Sequence, residues 1–149
     1  MNTILECERL TRNHFISRLR YHIIFSTKFR KKILTIIEQE VYDAFKLSID
    51  KDKFNILNMK IDKDHIHLYI KAKPVISPGE IIHRLKQITT YYLYKWEYNY
   101  LRKYYWGKKK HIWTHGYYIA SVGLVSENTV WNYIDNQGKD KKNPIHTQP

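Results

Sequence analysis

Lys63-Asp64-His65-Ile66-His67-Leu68-Tyr69-Ile70 is the stretch on which the fold turns. A β-strand sends successive side chains to opposite faces with a period of two. His65, His67 and Tyr69 therefore share one face, and Ile66, Leu68 and Ile70 share the other, which faces a core. Two imidazoles side by side on a rigid strand make half of a divalent-metal site. Upstream, Phe54 to Ile61 reads as a second strand, and Asp62-Lys63-Asp64 is a tight turn joining the two into a hairpin.

The flanks extend the pattern. Leu19 to Ser26 (LRYHIIFS) is rich in β-branched and aromatic residues and reads as the first strand. Thr35-Ile36-Ile37-Glu38 has the form of a capping box, and Ile37, Val41, Ala44 and Phe45 give the apolar stripe of a helix ending near Asp50. Ser77-Pro78-Gly79-Glu80 is a second capping box with proline at the first helical position. The helix after it carries Ile82, Leu85, Ile88 and Tyr92 toward the core. Tyr117 to Val122 reads as the fourth strand. Ser126 caps a last helix from about Glu127 to Gln137, stopped by Gly138. The order β-α-β-β-α-β predicts an α+β, ferredoxin-like sandwich with a four-stranded antiparallel sheet, followed by a C-terminal helix. One sheet face is covered by helices. The histidines are expected on the other, partly open face. Residues 1–138 form one domain in this reading, and 139–149 a flexible polar tail.

Charge indicates the partner. The chain has 149 residues and a formal net charge of +12. From Arg9 to Lys32 there are eight basic residues and no acid, and from Arg84 to Lys110 eight more against the single Glu97. Aromatic residues are interleaved with both clusters, and the chain as a whole has thirteen tyrosines. Cations that track phosphates and rings that stack on unpaired bases suit single-stranded nucleic acid. The lone Cys7 rules out a disulfide framework and a cysteine-based zinc site. No apolar run is long enough to span a membrane, and Met1 to Glu6 lacks the features of a signal peptide. The expected compartment is the cytoplasm, at the nucleoid when DNA is bound.

The last helix supplies the other half of a site. Tyr133 and Gln137 stand at i and i+4 and so project from one helical face. The Gln137 amide oxygen can serve as a third, hard ligand beside two imidazoles. Such a site with open positions suits Mg²⁺ or Mn²⁺ bridging to a phosphate. A phenol beside it can act as a nucleophile toward phosphorus.

Four segments together carry a family resemblance: Tyr21-His22-Ile23-Ile24-Phe25 with Lys28 through Lys32; Asp62 through His67; Trp113 through Gly123; and Val130 through Gln137. The chain resembles the IS200-like, TnpA-type transposases, the single-tyrosine class of the His-hydrophobic-His (HUH) endonuclease superfamily. The resemblance implies that His65 and His67 hold the metal and that Gln137 completes the protein ligands. It implies that Tyr133 attacks the scissile phosphate, forming a 5′-phosphotyrosine link and leaving a free 3′-OH. It further implies a homodimer with composite active sites, acting on single-stranded DNA hairpins at insertion-sequence ends without a nucleotide cofactor. Lys28, Arg30, Lys31, Arg102, Lys103, Lys108, Lys109 and Lys110 are the candidates for gripping that DNA. The competing class is a non-catalytic nucleic-acid-binding module or a domesticated relative. A ferredoxin-like sheet with exposed aromatics would suit such a module, but the glycine-aromatic signature of RNA-recognition motifs is missing.

Overall fold

The main sheet has four strands: β3 (Leu19–Ser26), β4 (Phe54–Ile61), β5 (His65–Ala72) and β6 (Tyr118–Ser121). They lie in the order β4-β5-β3-β6, with every neighbouring pair antiparallel. Two short strands ahead of them, β1 (Arg9–Leu10) and β2 (Phe15–Ile16), pair with each other. The computed structural model describes residues 9–10, 15–16 and 19–123. Tyr133, Gln137, the helix expected to carry them and the tail 139–149 lie outside the described residues.

Strand alternation separates the faces as expected. Ile23, Phe25, Ile66, Leu68 and Ile70 are buried in one core together with Val41, Ala44 and Phe45 of α1 (Glu38–Leu47) and Ile81, Leu85 and Leu93 of α2 (Pro78–Leu101). Strand β4 keeps its core face by an irregularity. Phe54 is buried in the core and Ile56, Met59 and Ile61, partly buried, pack against it, a spacing that strict alternation forbids. The register shifts between Ile56 and Asn58, and the extra residue of that bulge restores the phase. Leu57 is thereby released to the opposite face, where it packs with Tyr69 and Val122.

The helix starts differ from each other. At α2 the Ser77 side chain accepts from the Glu80 amide at 3.1 Å, and the Ser77 amide donates to the Glu80 carboxylate at 3.2 Å, the reciprocal box the sequence predicts. At α1 the expected box is not formed. Ile37 is the N-cap, without a side-chain cap bond. Ile33, Leu34 and Ile37 are all buried, so burial of this apolar turn sets the chain direction and Thr35 is left exposed. Helix α2 continues to Leu101, with a kink at Glu97. Thr89 and Leu93 hold the fully buried positions assigned from sequence to Ile88 and Tyr92, and Tyr92 packs at the margin of the core.

Trp113 ties the fourth strand to this frame. Its indole meets Phe25 edge-on at 4.9 Å between centroids, and its Nε1 donates to Thr89 Oγ1 at 2.9 Å. Lys86 Nζ donates to the carbonyls of Thr114, His115 and Gly116. The approach to β6 is therefore fixed on α2, and β6 is laid along β3.

Candidate metal centre

His65 opens β5 immediately after the turn 62–64. The Asp62 amide donates to the His65 carbonyl at 2.9 Å, closing the hairpin and turning the Asp62 carboxylate back toward the histidine face. Asp62 Oδ2 then lies 3.1 Å from His65 Nε2 and 3.9 Å from His67 Nε2. One ligand atom from each of Asp62, His65 and His67 lies within 4.8 Å of the others.

The surrounding groups aim the imidazoles. Asp64 Oδ1 lies 2.8 Å from His65 Nδ1, and Arg30 Nε donates to the other Asp64 oxygen at 3.1 Å. Burial acts to raise the Asp64 pKa, but the His65 hydrogen bond and the charges of Arg30 and His65 outweigh it, and the carboxyl stays below its ordinary value. A carboxylate on Nδ1 leaves the Nε2 lone pair facing inward, the usual support for a metal-ligating histidine. His67 is supported from β3. Its Nδ1 lies 3.4 Å from His22 Nε2, the two rings stacked at 16°.

The donor set fits a cation. Asp62 Oδ2 and His67 Nε2 are shut off from water, yet neither makes a hydrogen bond. Buried polar atoms are nearly always satisfied. When His65 is neutral with its proton on Nδ1 toward Asp64, three electron-rich atoms, Asp62 Oδ2, His65 Nε2 and His67 Nε2, converge. Two imidazoles and one carboxylate with further positions open can hold a divalent metal ion.

His65 and His67 come together as expected, although the face is less open than alternation alone suggests. His67 is 1% exposed, because Tyr69, His22 and the edge-on ring of His65 crowd the same surface. Asp62 was not foreseen as a ligand. Its signal was its place three residues before His65, across a tight turn. His22 was not foreseen either, since its approach to His67 depends on the β3–β5 register, in which Ile24 pairs with His67 and His22 with Tyr69. Of the basic candidates, Arg30 is tied to Asp64 and Ser26, and Arg102 donates to the Gly107 carbonyl. Lys31, Lys103, Lys108, Lys109 and Lys110 are exposed. Segments 28–31 and 108–110 are drawn together where the Lys28 amide meets the Ile112 carbonyl at 2.7 Å.

Burial lowers the pKa of His22 to about 4. It also lowers that of His67 to about 3, with the neighbouring His65, His22 and Lys60 adding to the shift. Both folded values lie below that of an unfolded histidine, so the unfolded chain binds more protons between them. Stability is then full above about pH 6.5 and falls as the pH drops toward 4. The expected loss from pH 7 to 5 is on the order of 2 kcal/mol per histidine. Urea unfolding at the two pH values, with EDTA present, checks this. A flat stability over that window would show that these rings protonate in the folded chain.

The profile of the family described as "Transposase IS200 like" matches residues 15–137, and the chain belongs to that family. It is a transposase, an enzyme class that cuts and transfers DNA strands, as its four motif segments imply. It is 25% identical over 135 residues to the ISDra2 transposase TnpA of Deinococcus radiodurans, a match spanning 90% of this chain and 94% of that protein. A crystal structure assigned as a transposase of Deinococcus radiodurans superposes with a TM-score of 0.67 at 20% identity, covering 87% of this chain and 98% of that one. A REP-associated tyrosine transposase bound to a REP hairpin superposes with a TM-score of 0.56 at 14% identity, covering 89% of this chain and 74% of that one. These two superpositions agree with the α+β sandwich expected from the sequence. No helix among the described residues is long and apolar enough to cross a membrane.

Proposed function

We propose that this transposase cleaves and rejoins single-stranded DNA at hairpin-bearing insertion-sequence ends through a metal-assisted 5′-phosphotyrosine intermediate. The observation that carries the reading is the convergence of Asp62, His65 and His67 with two buried, unsatisfied ligand atoms. His65 and His67 hold Mg²⁺ or Mn²⁺, Asp62 fills the third place, and Gln137 adds a neutral oxygen. Bound there, the cation polarises the scissile phosphate and offsets its charge. Asp64 and His22 keep the two imidazoles turned toward it.

Tyr133 is the nucleophile in this reading. Its phenolic oxygen bonds to phosphorus, the bond from phosphorus to the 3′ oxygen breaks, and the phenol proton is lost as the 3′ oxygen gains one. The phosphotyrosine ester retains the energy of the broken bond, so rejoining to a 3′-OH needs no nucleotide. The protein works as a homodimer with composite sites, the tyrosine helix serving the histidines of either subunit. A REP hairpin bound to one structural neighbour supports hairpins as the recognised element. The basic residues at 28–31 and 102–110 are the DNA grip. A binding module without catalysis would have no use for converging, unsatisfied ligand atoms.

Incubation with hairpin-bearing single-stranded oligonucleotides and Mg²⁺ or Mn²⁺, followed by a denaturing gel, tests the proposal. Protein-linked DNA is expected with either ion, and EDTA is expected to remove it while leaving DNA binding in place. Adduct formed equally in EDTA would overturn the metal's part. DNA bound with no adduct under any metal would favour the non-catalytic reading.

A further inference from the structure

Phe29 and Trp106 are the two most exposed large apolar side chains among the described residues, at 73% and 76%. They come from different basic loops, yet they line one cavity of about 300 Å³ with Lys31, Tyr104, Tyr105 and His111. Its walls are mostly aromatic, whereas its surroundings are strongly positive. Residues 28–32 and 102–110 hold nine basic residues and no acid.

The cavity is built rather than incidental. Tyr105 Oη donates to the Lys28 carbonyl at 2.8 Å, and the Lys28 amide donates to the Ile112 carbonyl at 2.7 Å, so the two loops are pinned together beneath the exposed rings. Arg102 holds the Gly107 carbonyl at 2.8 Å, and Gly107 takes φ 107°, a turn open to glycine, directly after Trp106. Phe29 itself sits at φ 60° and Arg30 at φ 53°, left-handed backbone that is uncommon for bulky residues. Strain of this kind persists where surrounding structure enforces it and clusters at ligand-binding sites. Here it presents the Phe29 ring to solvent. The neighbouring Arg30 reaches back to Asp64, which orients His65. The cavity is thus joined to the metal centre through two consecutive residues.

We propose that this cavity is a nucleobase pocket, which takes one unpaired base of the bound DNA strand against Trp106 and Phe29. The inference rests on the reading of single-stranded DNA as the substrate and adds how the strand is held beside the cleavage centre. An aromatic wall stacks on any base, since every base has a π-face, and the cationic rim matches the flanking phosphates. A base fixed here sets the length of strand between the pocket and the histidines, so the pocket acts on register as well as affinity.

The test uses hairpin oligonucleotides with a single-stranded extension carrying 2-aminopurine at one position at a time. With wild-type protein at low salt, fluorescence is expected to be quenched by stacking at one position in particular. Trp106→Ala and Phe29→Ala should abolish that quenching and weaken binding about 10-fold, the scale of one lost base stack. Trp106→Tyr should retain most of both. An abasic residue at that position should bring wild-type affinity down to that of Trp106→Ala. Both side chains are exposed, so thermal unfolding should be unchanged. Wild-type affinity and quenching in both alanine variants would overturn the pocket, as would the lack of any quenched position. Adduct formation on the same oligonucleotides reports separately on the proposed function. Adduct without a quenched position removes the pocket alone, whereas position-specific quenching without adduct removes the catalysis alone.

Discussion

The His67→Ala protein is expected to cleave single-stranded DNA about 10³-fold more slowly than wild type at a fixed concentration of Mg²⁺ or Mn²⁺. Lewis-acid stabilisation of a transferring phosphate amounts to several kcal/mol, and each 1.36 kcal/mol is about tenfold in rate. His67 is the buried member of the ligand group, its Nε2 facing Asp62 Oδ2 with no hydrogen bond of its own. Alanine there leaves one imidazole and one carboxylate and removes the ring that His22 stacks on. DNA affinity should change only a few fold, because the basic loops at 28–31 and 108–110 lie on other segments. The same substitution removes one of the two rings whose neutral form the fold demands, so the variant should lose less stability than wild type between pH 7 and pH 5. Initial cleavage rates across a metal titration, with binding measured in parallel, decide the matter. A rate within tenfold of wild type at saturating metal would show that His67 is not a ligand.

The parts of this centre legible in the sequence are those governed by local periodicity. Alternation through 65–70 puts both histidines on one face, and Leu19–Ser26 and Phe54–Ile61 coincide with strands β3 and β4. The hairpin and the Ser77 capping box depend only on neighbouring residues, and both formed. What sequence reading missed depends on partners distant in the chain. His22 reaches His67 only through the antiparallel register of β3 with β5. Asp62 joins the two histidines because the tight turn folds its carboxylate back, a consequence of turn geometry that residue type alone does not specify. The Thr35 capping box failed because burial of Ile33, Leu34 and Ile37 outweighs one side-chain cap bond, worth about 1 kcal/mol. The pairing of Phe29 with Trp106 was hidden for the same reason, since 77 positions separate the Tyr105–Lys28 contact beneath them.

Tyr133→Phe should abolish covalent adduct, a loss larger than any other single change at the site, while DNA binding stays within a few fold of wild type. The substitution removes one oxygen and little volume, so folding and DNA contacts are spared. The identity of the nucleophile can be narrowed further from the other phenols. Burial raises the pKa of Tyr94, Tyr100 and Tyr105, that of Tyr100 to about 12, and the hydroxyls of all three donate to backbone carbonyls. A phenol kept protonated and already committed is a poor nucleophile. Tyr118 is different, because it lies on the histidine face with its ring edge-on to His22 at 5.9 Å. It is the proper control. Tyr118→Phe should retain adduct formation, since its neighbour His22 supports a ligand and is not one itself. Adduct that survives in Tyr133→Phe but is lost in Tyr118→Phe would move the nucleophile from the C-terminal segment to β6. The site would then be complete within one sheet, and the composite dimer would lose its chemical reason.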